Sequence, residues 1–169
     1  MLIKYVLISF ILLLHFTKIS CAELAKPNLI FILIDDVGWA DFNYNVGGNS
    51  AIPTPNLDRL AGEGMKFKSH YVHPTCTPSR AALMTGRYAA NTGLPFATFP
   101  GSVAGLPDDM ETMPRLLRKS GYSAHMVGKW HLGHAQWKQG PVGKGFESHR
   151  KEHNLANPLF VYVSYNAAQ

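Results

Sequence analysis

Three groups of residues along this chain have the types and spacing to do chemistry. Asp35 and Asp36 are adjacent. Neighbouring carboxylates repel unless a cation or a proton lies between them, and their hard oxygens suit Ca²⁺ or Mg²⁺. The alternative is a pair of loop acids that cap a helix or face solvent. Cys76 opens the run Cys76-Thr77-Pro78-Ser79-Arg80. At a helix start, the positive end of the peptide dipoles and the charge of Arg80 both favour an anion made from this side chain. The alternative is an inert Cys packed beside that helix. Lys129 and His131 stand one residue apart in Gly128-Lys129-Trp130-His131. In extended backbone both would face one side, giving an anion clamp and a proton carrier. Taken separately, such residues are more often a surface lysine and a hydrogen-bonded histidine.

The elements that must position these groups follow from periodicity. Asn28 to Ile34 is an unbroken apolar run ending at Asp35, which predicts a parallel strand buried on both faces. Thr54-Pro55-Asn56 starts a helix with Leu57, Leu60 and Ala61 on one stripe, stopped by Gly62 and Gly64. Met65 to Val72 reads as a second strand. Pro78 suits a first helical position, with the helix running through Arg80 and Met84 to Gly86. Ala89 to Asp109 reads as loop, Thr112 to Ser120 as a short helix, Tyr122 to Val127 as a strand and Leu159 to Val163 as a last strand. Gln136 to Asn157 is polar and without period. Alternating strands and helices predict an α/β fold with a mainly parallel sheet flanked by helices. In such sheets functional loops lie beyond the carboxyl ends of the strands. Neighbouring strands would bring the three groups into one cleft, the layout of an enzyme acting on a charged ester.

The first 22 residues form a unit apart. Lys4 precedes the apolar run Val6 to Phe16, and Ser20-Cys21-Ala22 offers small residues before a cut after Ala22. That is the pattern of a secretory signal peptide, and the run is short for a membrane anchor. Residues 23–169 then form the mature chain, with no stable membrane span expected in it. The cut removes Lys4 and Lys18 and no acid, so the formal charge falls from +5 to +3. A mild excess without a Lys/Arg block gives no indication of nucleic-acid binding. The cut also removes one of the two cysteines and leaves Cys76 unpaired.

Cys76-Thr77-Pro78-Ser79-Arg80, continued by Thr85-Gly86, resembles the sulfatase signature C-x-P-S-R-x-x-x-x-T-G. Lys26 to Gly38 resembles the family's opening metal-binding strand, and Gly121 to Gly133 its second signature, with Ala124 where Ser or Thr is usual. The three segments agree in order with the arylsulfatase B-like branch of the alkaline-phosphatase-like superfamily. The resemblance implies an alkaline-phosphatase-like sandwich, incomplete in this chain. It covers residues 26–147 without interruption, and residues 157–169 match a later strand of the family. Only residues 148–156 join the two blocks.

The resemblance further implies a sulfuric ester hydrolase. Cys76 would be oxidised to formylglycine (3-oxoalanine) by the formylglycine-generating enzyme, acting on Cys76-x-Pro78-x-Arg80 before folding. The hydrated aldehyde would attack the sulfur of a sulfate ester through one hydroxyl and release sulfate through the other. Asp35, Asp36 and the residue made from Cys76 would bind Ca²⁺, and Arg80 would hold the hydrated aldehyde. Lys129 would contact sulfate, and His131 would orient or deprotonate the nucleophile. Lysosomal or extracellular residence is implied. The family's later metal and substrate residues have no counterpart in this sequence. A catalytically inactive secreted fragment or splice product is therefore the second reading, and a related phosphoesterase the third.

Overall fold

The computed structural model describes residues 25–147 and 158–165. The expected signal peptide and the junction at 148–156 lie outside the described residues. Three strands, β1 (Leu29–Ile34), β2 (Ser123–Gly128) and β3 (Leu159–Tyr165), form one parallel sheet in the order β1-β3-β2. Three α-helices accompany it: α1 (Pro55–Glu63), α2 (Cys76–Thr85) and α3 (Met113–Lys119). The last strand is thus the central one. Phe31 and Met126 both lie level with Tyr162, and Leu33 and Gly128 lie level with Ser164.

Side chains alternate across a strand, and here the two faces differ. Phe160 and Tyr162, with Ala124 and Met126 beside them, are buried under Ala81 and Met84 of α2 and under Phe146. On the opposite face Ile30, Ile32 and Val127 are 70%, 55% and 59% exposed. The apolar run of β1 predicts cover on both sides. Among the described residues only one side has it, because α1, α2 and α3 contribute no buried side chain against the other. Ala124, the departure from the family pattern, is a fully buried strand residue in the core.

Three further expectations are corrected. Met65 to Val72 forms no strand; Met65, Phe67, Tyr71 and Val72 are 72–88% exposed. Its residues have strand character but no neighbouring strand to pair with, and strand propensity is mostly the packing that pairing provides. Helix α2 begins at Cys76, two residues before Pro78, with extended Thr75 as its N-cap. Pro78 still falls in the first turn, where its missing N–H costs nothing. The last strand continues two residues past Val163 and so takes in Ser164.

Around the sheet, loops are fastened by polar clasps. Lys144, fully buried, donates from Nζ to the carbonyl of Pro107 at 2.9 Å and pairs with Asp108 at 3.2 Å. Thr112, the N-cap of α3, donates to the carbonyl of Lys144 at 2.6 Å. Among the described residues, no helix is long and apolar enough to cross a membrane.

Candidate active site

Asp35, Lys129 and Ser164 stand at the carboxyl ends of β1, β2 and β3, and the amino end of α2 brings Cys76 and Arg80 to the same place. Beyond Asp35 the chain reverses through Asp36, which adopts a left-handed backbone with φ 56°. Asp tolerates that conformation better than most residues because its short side chain is polar and unbranched at Cβ. Asp36 is exposed. At the end of β2, Gly128 has φ 98°, and a Cβ there would lie 1.9 Å from the carbonyl oxygen of Ser164. Only glycine lets the backbone pass so close to β3 while turning Lys129 toward Asp35.

Arg80 is the hub. Its side chain is 1% exposed, and Nη2 lies 3.1 Å from Oδ1 of Asp35. From Nη1 it donates to the carbonyl of Lys129 at 2.6 Å, to Oγ of Ser164 at 2.8 Å and to the phenol of Tyr162 at 3.3 Å. Its Nε is buried without a hydrogen-bond partner among the described residues. A buried guanidinium needs such acceptors. Phe31 stacks on Tyr162 with centroids 5.7 Å apart and fixes the phenol; burial pushes that phenol above its usual value, against the opposing pull of Arg80.

Lys129 bridges two groups. Its Nζ donates to Oδ2 of Asp35 and stands 3.3 Å from Sγ of Cys76. Burial alone would raise the Asp35 carboxyl, but the Lys129 hydrogen bond and the Arg80 guanidinium outweigh it and hold the carboxyl below its ordinary value. Conversely, burial pulls Lys129 down while Asp35 and Cys76 outweigh it and push the ammonium up. Both partners therefore stay charged over a wider pH range than either would alone.

His131 joins this cluster at one remove. It too has a left-handed backbone, φ 59°, and its carbonyl accepts from Oγ1 of buried Thr77 at 3.0 Å. Its Nε2 is 2.8 Å from the carbonyl of Thr98. A carbonyl only accepts, so Nε2 carries a proton; Nδ1 is buried without a hydrogen-bond partner among the described residues. Lys129 and His131 thus differ in direction: the lysine reaches Asp35 and Cys76, while the imidazole turns to Thr98. Sequence reasoning missed Tyr162, Ser164, Thr77 and Thr98. A serine closing an otherwise apolar strand, two residues from Tyr162, was the one available signal.

Ca²⁺ takes about six to eight oxygen ligands. Here both oxygens of Asp35 are engaged by cations, and Asp36 is exposed. Among the described residues no three His, Cys, Asp or Glu side chains converge as a metal cage. The residues present do not fit a Ca²⁺ ion. Cys76 itself is half-buried at the start of α2 with the Lys129 ammonium beside it. A cleft of about 600 Å³ lies elsewhere, between His70–His73 and the far end of α2.

A family model described as Sulfatase matches residues 27–166. Arylsulfatase J of Mus musculus is 46% identical over 128 residues, 75% of this chain and 21% of its own length. N-acetylgalactosamine-6-sulfatase of Sus scrofa is 45% identical over 132 residues, 72% of this chain and 24% of its own. The chain thus spans about a quarter or less of the curated relatives it matches. Among solved structures, Ps i-CgsB in complex with k-i-k-neocarrahexaose superimposes with a TM-score of 0.75 at 31% identity, over 84% of this chain and 45% of that one.

Proposed function

Since this chain belongs to the sulfatase family, we propose that the activity it serves is hydrolysis of sulfate esters, with residue 76 as the nucleophile. The observation that carries this reading is the ammonium of Lys129, 3.3 Å from Sγ of Cys76 at the start of a helix. Oxidised to formylglycine by the formylglycine-generating enzyme, residue 76 would supply a hydrated aldehyde that attacks sulfur with one hydroxyl and expels sulfate with the other. Lys129 neutralises a sulfate oxygen brought to residue 76. His131, its Nε2 proton committed to Thr98, accepts a proton at Nδ1. Arg80 acts from behind, holding Asp35 and the backbone of Lys129 in place rather than reaching the substrate. We also propose a signal peptide at 1–22 and a secretory route to the lysosome or the extracellular space.

The Ca²⁺ expected of the family has no complete ligand set among the described residues, and no step is assigned to it. That observation, with the uncovered face of the sheet, favours a second reading: a non-catalytic member. Co-expression with the formylglycine-generating enzyme and assay on an aryl sulfate decides between them. Turnover lost in Cys76→Ala is the expected result. Soluble protein that carries the aldehyde but turns over no sulfate ester would leave only the second reading. Mass spectrometry of the tryptic peptide containing residue 76 reports the conversion independently.

A further inference from the structure

Between Tyr88 and Asp108 the chain carries no Asp, Glu, Lys, Arg or His. Its apolar side chains there are not all spent on the core: Phe96 and Phe99 are 80% and 74% exposed. Both line a cleft of about 220 Å³, together with Leu94, Thr98, Ser102 and Ala104. The segment is fastened to the candidate active site at Thr98. The Thr98 N–H donates to Oγ1 of Thr77 at 3.2 Å, and Thr77 directly follows Cys76. The Thr98 carbonyl, in the peptide that joins Phe99, lies 2.8 Å from Nε2 of His131. The phenyl pair is thus tied to the helix start that presents residue 76 and to the imidazole beside it, where the alcohol side of a sulfate ester would project.

The polar groups of this segment are largely engaged within it. The Thr92 hydroxyl donates to the carbonyl of Ala89, and the Ser102 hydroxyl accepts from the N–H of Ala104. A sugar brings hydroxyls that lose water on entry and need partners. An aromatic ring needs only apolar area and another ring to pack against. We infer that Phe96 and Phe99 seat the alcohol side of the substrate and select a flat apolar alcohol over a sugar. The inference rests on the reading of residue 76 and Lys129 as the sulfate end of the site.

The test is calorimetric titration of the full chain carrying the Cys76 thiol, so that binding is read without turnover. Two probes are compared, 2-naphthyl sulfate and galactose 6-sulfate. The naphthyl ester is expected to bind at least about tenfold more tightly, a difference of about 1.4 kcal/mol. In the Phe96→Ser, Phe99→Ser double variant that ratio should fall to about two or less. Both side chains are exposed, so the variant should unfold at the temperature of the unaltered chain. Lys129→Met should weaken both esters alike. Equal binding of the two esters, binding of neither, or a preference that survives loss of both phenyls overturns the inference. Naphthyl affinity unchanged in Lys129→Met but still dependent on the phenyls leaves the seat standing and overturns the reading of Lys129 as the sulfate contact. A second measurement needs no variant. Nuclear Overhauser effects from the naphthyl protons should reach the rings of Phe96 and Phe99; contacts confined to Ile30 and Ile32, on the open face of the sheet, overturn the inference too.

Discussion

Nη1 of Arg80, on α2, donates to Oγ of Ser164, on β3, at 2.8 Å inside the protein. This bond fastens the helix that begins with Cys76 to the central strand of the sheet. Truncating the serine leaves a buried guanidinium short of one acceptor. Ser164→Ala should therefore cost about 1.5–3 kcal/mol, the range for a hydrogen bond to a charged group. Tyr162→Phe removes a longer bond, 3.3 Å, and should cost less. Urea unfolding of the two variants checks the order.

Asp35→Asn breaks the pair on both sides. Arg80 keeps three other acceptors and Asp35 is 12% exposed, so the loss should be about 2–3 kcal/mol, below the 3–5 kcal/mol of a fully enclosed pair. A fall in unfolding free energy under about 0.5 kcal/mol would show that the pair does not hold the site together.

The same pair predicts a pH profile. The Asp35 carboxyl is lowered in the folded chain, so its stabilisation is complete above the unfolded value of 3.8 and is lost as pH falls through the folded value. Lys129 is raised, so its contribution is complete below the unfolded value of 10.5 and is lost as pH rises through the folded one. Stability measured against pH should lose both shoulders in the Asp35→Asn, Lys129→Met double variant.

Gly128→Ala should be among the most damaging single changes. The added Cβ would sit 1.9 Å from a backbone oxygen at a positive φ, and neither strand can yield without breaking the pairing of β2 with β3. Loss of soluble protein, or destabilisation beyond about 3 kcal/mol, is expected. Gly86→Ala, with open space around it, is the control and should cost about 1 kcal/mol from its left-handed backbone alone.

Ile30 and Ile32 present an apolar ridge to solvent. Replacing both with Thr keeps β-branching and should raise the soluble yield of this chain, with unfolding free energy changed by about 0.5 kcal/mol or less. Light scattering against concentration gives the readout.

What the sequence disclosed, and what it withheld, divides along one line. Asp35 is legible because an apolar run ends there, and Cys76 because a helix-start pattern begins there; both are local signals. The strands β1, β2 and β3 were legible for the same reason. The false strand at Met65 to Val72 had the right residue types, but pairing is decided by distant chain. Ser164 and Tyr162 act on Arg80 across more than eighty residues, a separation at which no spacing rule operates. The Lys129–Asp35 pair was likewise invisible: its partners were each singled out, for sulfate and for metal, and in the folded chain they find one another.

The strand order has a consequence for synthesis. β3 lies between β1 and β2 yet is made last. A ribosome that has released Gly128 has delivered both outer strands and α2, but nothing to join them. Roughly thirty residues must still emerge, a delay on the order of a few seconds at 5–20 residues per second. Throughout that interval Arg80 lacks Tyr162 and Ser164, and the start of α2 has no sheet to close against. The topology thus leaves the start of α2 open on the nascent chain until the arrival of β3 closes it.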